Sequence, residues 1–250
     1  MNKDICIRKE NNSCLNDSDI ETFIEIYNKY NNIKIRDKKH YLEKMGGDYE
    51  WEIMKLDIYK NDKKFYNKLK KVIFKPIIQK YALLTNFDID DVMSRIKNTD
   101  FLWNGVYACD FYNYIETLQF KKILKRMNSR KQTAIILNTD SYTQNGSHWV
   151  CVFIDNYLKT IEFYDSFGKP PNVCVKVFIN ALKKYNTSYE YVENQKQQQK
   201  ENIECGIYCI RYIIERIHGT DSFKLMNQDI NDKQANIWRK NVFITSRVKI

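Results

Sequence analysis

The pattern of apolar and polar positions changes character along the chain. Near its start Ile20, Phe23, Ile24 and Tyr27 recur at helical spacing, and the first third reads as mostly helical. Between Lys60 and Lys80, eight lysines and one acid, Asp62, are interleaved with Phe65, Tyr66, Leu69, Val72 and Ile73, which predicts a basic amphipathic helix. Beyond Lys80 short β-rich runs take over: Thr133–Leu137, Trp149–Ile154 and Thr160–Tyr164 read as strands. Asp155-Asn156-Tyr157-Leu158-Lys159 is a hairpin-length connection with turn formers, so the last two should pair antiparallel. Gly168-Lys169-Pro170-Pro171 then breaks the chain, Val173, Val177, Phe178, Ala181 and Leu182 resume a helix, and Tyr189–Val192 reads as a further strand. After the polar run 193–202, apolar residues at 207, 210, 213, 214 and 217 mark one helix face, and Gly219 is its natural stop. The shift in texture places a boundary near Lys80, between a helical N-terminal arm (1–80) and a second domain (81–250).

Composition narrows the class. At 250 residues with 43% hydrophobic positions the chain can bury a sizeable core and is too apolar to be disordered. No stretch approaches the roughly 18 apolar residues of a membrane span, and Met1-Asn2-Lys3-Asp4 lacks the apolar core of a secretory signal. The net charge of +10 favours anionic company, so a nucleic acid is a candidate partner through Lys60–Lys80 and through Lys121, Lys122, Lys125, Arg126, Arg130 and Lys131. A charge run is more often a solvated helix face. Seven cysteines, an odd number with no C-x-x-C pair, argue against a disulfide framework or a zinc ribbon and for a reducing interior. Three dispersed histidines offer no metal-ligand set, and no cofactor is expected.

What remains is nucleophilic chemistry. Cys205 opens the apolar helix 205–217, where unpaired amides and aligned peptide dipoles favour a thiolate. Cys209, one turn further on, and the other cysteines read as inert core residues. A thiol nucleophile needs a base. His40 sits in a basic surface stretch and His218 at a helix end, whereas His148 joins the polar loop 143–147 to the strand starting at Trp149. If the two strands form a hairpin, Asp165 at the far end of the second lies beside His148 and can orient its ring. Amides for a developing oxyanion are available just ahead of Cys205, in Gln195, Gln197, Gln198, Gln199 and Asn202.

These motifs, His148-Trp149, Tyr164-Asp165-Ser166 and a Gln ahead of Glu204-Cys205-Gly206-Ile207-Tyr208, resemble the ubiquitin-like-protein proteases, the adenain-like cysteine proteases that include SUMO-specific and viral maturation proteases. Leu83-Leu84-Thr85-Asn86-Phe87-Asp88-Ile89-Asp90 and Leu137-Asn138-Thr139-Asp140 extend the likeness, above all to viral polyprotein-processing members. The resemblance implies an α+β, papain-like core: a central mixed sheet with helices and the nucleophile at the N-terminus of a core helix, preceded by a helical arm. It implies Cys205 as nucleophile, His148 as base, Asp165 as orienting acid and Gln199 as oxyanion donor, with Gln198 and Asn202 as alternatives. Trp149, Asn202 and Gly206 are expected to line the substrate groove, with Trp149 roofing a tunnel that admits glycine only; Leu83 stands where SUMO proteases place a second Trp. The expected substrate is a viral structural polyprotein with Gly-Gly-type sites, cut in the host cytoplasm and virion. A SUMO or ubiquitin-like conjugate is the alternative substrate, and a basic nucleic-acid-binding protein the alternative of another class.

Overall fold

The computed structural model describes residues 17–30, 34–45, 77–79, 82–96, 98–114, 117–201 and 203–246. By its contacts the chain divides into two compact units: Met1–Ile77 with Arg95–Lys97 and Asn241–Ile244, and a larger one built from the rest. In the smaller unit α1 (Asp17–Tyr30) and α2 (Lys38–Met45) pack through Phe23 and Tyr41, whose rings meet edge to face at 5.2 Å. The α1 periodicity is as the sequence predicts, and Asn28 fastens the following turn by bonding both the amide and the carbonyl of Ile35. The predicted basic helix falls mostly outside the described residues. Its described tail is a strand instead, β1 (Ile77–Gln79), which pairs with the last strand, β7 (Ile244–Ser246). Pro76 lacks an amide hydrogen and restricts the residue before it, which disfavours carrying a helix to Lys80.

The larger unit is an α+β layer structure. Its helices are α3 (Asn86–Met93), α4 (Thr117–Met127), α5 (Val173–Tyr185), α6 (Cys205–Ile217), α7 (Ser222–Asn227) and α8 (Asp232–Val242), whose last two residues belong to the smaller unit. They surround a five-stranded mixed sheet in the order β2-β3-β4-β5-β6: β2 (Phe101–Ala108), β3 (Gln132–Asn138), β4 (Trp149–Asp155), β5 (Thr160–Tyr164) and β6 (Glu190–Glu193). The outer pairs β2/β3 and β5/β6 are parallel, and the central strand β4 runs antiparallel to both β3 and β5. Val150, Val152, Ile154, Ile161 and Phe163 join one apolar core with Leu124 and Met127 of α4 and Val175, Phe178 and Leu182 of α5. The intervening side chains face α6: Tyr164 stacks on Tyr212 with centroids 4.4 Å apart, and Arg216 lies over Phe153. Covering both faces explains why β3 and β4 read as unbroken apolar runs.

The central helix α6 is fixed in rotation by a buried ionic contact. Arg216 donates to both oxygens of Glu162 on β5, at 2.8 and 2.7 Å, and the Tyr212 hydroxyl donates to the same carboxylate at 2.8 Å. Removing one partner from such a pair costs about 3–5 kcal/mol, because the other charge is stranded. Cys205 therefore opens a helix whose axial rotation on the sheet is set at its far end.

One expectation is corrected here and one strand is added. Cys109, just after β2, and Cys174, on α5, form a disulfide with Cα atoms 5.6 Å apart. Cysteines 65 residues apart carry no local spacing signal, so the pairing was invisible in the chain. Strand β2 is also absent from the sequence reading, because Asn104 and Gly105 interrupt its alternation; the register shifts between Trp103 and Val106, where Gly105 takes φ +103°.

Candidate active site

The β4/β5 hairpin sets the site. Its register pairs Cys151 with Tyr164, so the residue before β4 and the residue after β5 are brought together at the same end. There His148 Nε2 and Asp165 Oδ1 lie 2.6 Å apart, with side chains only 14% and 5% exposed, so solvent hardly competes for the contact. Oδ1 also accepts the Phe167 amide at 2.8 Å, and the Phe167 ring lies against the imidazole with centroids 4.8 Å apart.

Asp165 is itself held from behind. Asn194 accepts the Asp165 amide at 2.8 Å and donates to its carbonyl at 2.6 Å, gripping the backbone in both directions. The chain then reverses at Gly168, whose amide bonds the Asp165 carbonyl at 2.8 Å. Gly168 sits at φ +67°, and a Cβ there would lie 2.6 Å from the Gln195 carbonyl oxygen, so only glycine lets this turn press against the loop that leads to α6.

With Nε2 engaged, the other ring nitrogen, Nδ1, is left for Cys205. Burial alone would disfavour the charged ring. The hydrogen bonds to Asp165 and to Cys205, with the charges of both groups, outweigh burial and push the imidazole up to about 9. At neutral pH His148 is therefore an imidazolium held between a carboxylate and a sulfur, the arrangement that attacks a carbonyl and then protonates a leaving group.

The amides ahead of Cys205 separate cleanly. Gln198 spends its nitrogen on the carbonyls of Leu225, Met226 and Gln228 and its oxygen on the Tyr164 hydroxyl, which makes it a structural residue. Gln197 donates to the Gln199 carbonyl. Gln199 is fully buried; its oxygen accepts from Ser166 Oγ at 2.5 Å and its nitrogen donates one hydrogen to the Glu201 carbonyl, which leaves the second. Asn202 lies outside the described residues.

Trp149 donates from its indole to the Leu84 carbonyl at 2.9 Å, which fixes the ring beside the segment that opens α3. That segment starts with a capping box between Thr85 and Asp88, the sequence signature of a helix start. Gly206 sits beneath it: a Cβ there would lie 3.0 Å from Leu84 Cδ1 and 3.3 Å from Ile89 Cδ1, so its small size lets α3 close on α6. Cys209 is buried, donates to the Trp149 carbonyl at 3.3 Å, and has its thiol pushed well up by burial, which suits an inert core residue. His40 accepts the Arg36 amide on α2, and His218 caps the end of α6. The lysines of α4 are exposed on a helix that buries Leu124 and Met127, the ordinary arrangement of a solvated face. Asn194, Ser166, Asp232 and Arg239 also support the site beyond the residues the sequence analysis assigned to it; Asn194 lies in the polar run 193–202 ahead of Cys205, whereas Ser166, Asp232 and Arg239 lie far from Cys205 in the chain and carry no local signal for a role there.

A helix-borne thiol and an imidazolium at the end of the central strand of a mixed sheet define a cysteine protease. Residues 129–245, which hold His148, Asp165 and Cys205, match the Ulp1 protease family, C-terminal catalytic domain. The chain is similar to a mimivirus protein named as a thiol protease (Acanthamoeba polyphaga mimivirus; 25% identity, covering 94% of this chain and 90% of the relative). It is also similar to the SUMO-1 cysteine protease of African swine fever virus (29% identity, covering 65% of this chain and 68% of the relative). The crystal structure of the African swine fever virus protease shares the fold, with a TM-score of 0.68 at 22% identity over 97% of this chain and 96% of that one.

Proposed function

We propose that the protein is a viral maturation endopeptidase that cuts structural polyproteins after Gly-Gly-like sequences, with Cys205 as nucleophile, His148 as general acid and base, Asp165 as its orienting group and Gln199 as an oxyanion donor. The observation that carries the reading is the buried 2.6 Å contact from His148 to Asp165, on a ring that Asp165 and Cys205 together push up to about 9 against the effect of burial. Sulfur attacks the carbonyl carbon, and the oxyanion is met by the amides that open α6 and by the remaining Gln199 hydrogen. His148 gives its Nδ1 proton to the leaving amine as the C–N bond breaks and a thioester remains. Water, deprotonated by His148, then forms the new C–O bond, and sulfur leaves with the proton restored to the pair.

Glycine preference follows from a roof that does not move. Trp149 is tethered to the Leu84 carbonyl, and an indole fixed over the groove would exclude a Cβ beside the scissile carbonyl. Residues 1–80 act as an arm domain, and cleavage takes place in the host cytoplasm and in the virion. The name of the African swine fever virus relative favours a second reading, removal of a ubiquitin-like modifier. Incubation with Gly-Gly-X peptides, a Gly-Gly-containing polyprotein, and SUMO and ubiquitin conjugates separates the two. Cleavage of the peptides and polyprotein supports the first reading, cleavage of conjugates alone the second, and cleavage of none refutes both.

A further inference from the structure

The loop between Gln199 and Cys205 carries the chemistry of the oxyanion, and two charges on α8 hold it. Asp232 Oδ2 accepts the amides of Lys200 at 3.0 Å and Glu201 at 3.1 Å, while Oδ1 accepts the Tyr208 hydroxyl of α6 at 3.2 Å. Two turns along α8, Arg239 Nε donates to both oxygens of Glu204, at 3.0 and 2.9 Å, and its terminal nitrogens donate to the carbonyls of Ala82 and Ile203. Arg239 is 2% and Glu204 2% exposed. One guanidinium thus ties together the residue before the nucleophile, the loop leading to it and the segment that leads into α3.

Glu204 occupies the N-cap of α6, at the positive end of the helix dipole, where its carboxylate is near the free amides of the first turn and could accept from them. It makes no such bond; its carboxylate is turned onto Arg239 instead. The first amides of α6 are thereby left for another acceptor, and the negative charge nearest the reacting sulfur in sequence is neutralised.

We infer that Arg239 is a positioning residue of the reaction, which withdraws and neutralises the Glu204 carboxylate so that the amides opening α6 can receive the substrate oxyanion, while Asp232 anchors the preceding loop. The inference rests on the protease reading above. Freed of Arg239, Glu204 would present a buried negative charge or its own oxygens to the amides that the oxyanion needs, a transition-state penalty rather than a binding one. The fault would therefore lie in kcat.

The test uses the full chain and a fluorogenic Gly-Gly peptide, with the folded fraction of every variant measured by circular dichroism. Arg239→Gln should lose about 100-fold in kcat, the scale of removing one oxyanion donor, with KM within about threefold. The double variant Glu204→Gln/Arg239→Gln, which buries no charge, should regain at least about tenfold of that loss, because it is Glu204's charge that does the harm. A single variant with unchanged kcat, or equal losses in single and double at equal folded fraction, overturns the inference. Should the single variant not fold, the double decides alone: kcat within about tenfold of the unsubstituted protein sustains the inference, and an inactive folded double overturns it. Failure of the unsubstituted protein to cleave the peptide would instead sink the protease reading, and the inference with it.

Discussion

Replacing Asp165 by Asn separates the orientation of the His148 ring from its charge. An Asn carbonyl oxygen can still accept from Nε2 and from the Phe167 amide, so the ring keeps its direction, but the negative charge behind it is gone. Asp165 and Cys205 push the imidazole up from an ordinary 6.5 to about 9 against the opposing effect of burial, which is about 3 kcal/mol in favour of the imidazolium. Asp165 contributes to that balance both by its hydrogen bond and by its charge. Removing the charge should lower the imidazolium pKa by roughly one to three units. In a pH–rate profile of kcat/KM, the alkaline limb, which marks loss of the imidazolium, should move down by the same amount, with partial activity retained on its acid side. Stability should follow the same sign: a folded-state pKa raised above the unfolded value contributes fully below about 6.5 and is lost as pH rises through about 9, so Asp165→Asn should destabilise at a pH of about 6 and hardly at about 10. An alkaline limb that coincides with that of the unsubstituted protein would refute the argument that Asp165 sets the charge state of His148.

Three further outcomes are expected. Gln199→Ala should lower kcat about 10²-fold in a peptide-cleavage assay, whereas Gln198→Ala should lower the melting temperature first, since Gln198 holds the C-terminal end of α7 through three carbonyls. Gly168→Ala should destabilise by about 1–3 kcal/mol in chemical denaturation, from its positive φ and the backbone it would strike. Breaking the Cys109–Cys174 bridge by Cys174→Ser should cost about 2–4 kcal/mol in the same measurement, because the link closes a long loop in the unfolded chain.

Local pattern carried further in this chain than its interior polar contacts did. The β4/β5 hairpin, helix α5 and helix α6 were legible because their turn formers, N-cap and apolar stripe are local, and the hairpin alone is enough to place His148 beside Asp165. Strand β2 was hidden by Gly105, a residue used there for a bulge. The supports of the site were hidden for a different reason. Asn194 grips Asp165 from 29 residues away and Arg239 grips Glu204 from 35, and a buried hydrogen bond between distant segments leaves no period or spacing in the chain. The same holds for Cys109 and Cys174, which an odd cysteine count argued against.

The central claim is that Cys205 and His148 form one reactive pair that accepts glycine. Labelling the protein with a Gly-Gly peptide carrying a vinyl electrophile, followed by mass-spectrometric mapping of the modified residue, tests it directly. The account predicts a single adduct on Cys205 that is lost in His148→Ala and is strongly reduced when the terminal glycine is replaced by alanine. An adduct on Cys151 or Cys209, or labelling of Cys205 that is indifferent to both changes, would contradict it.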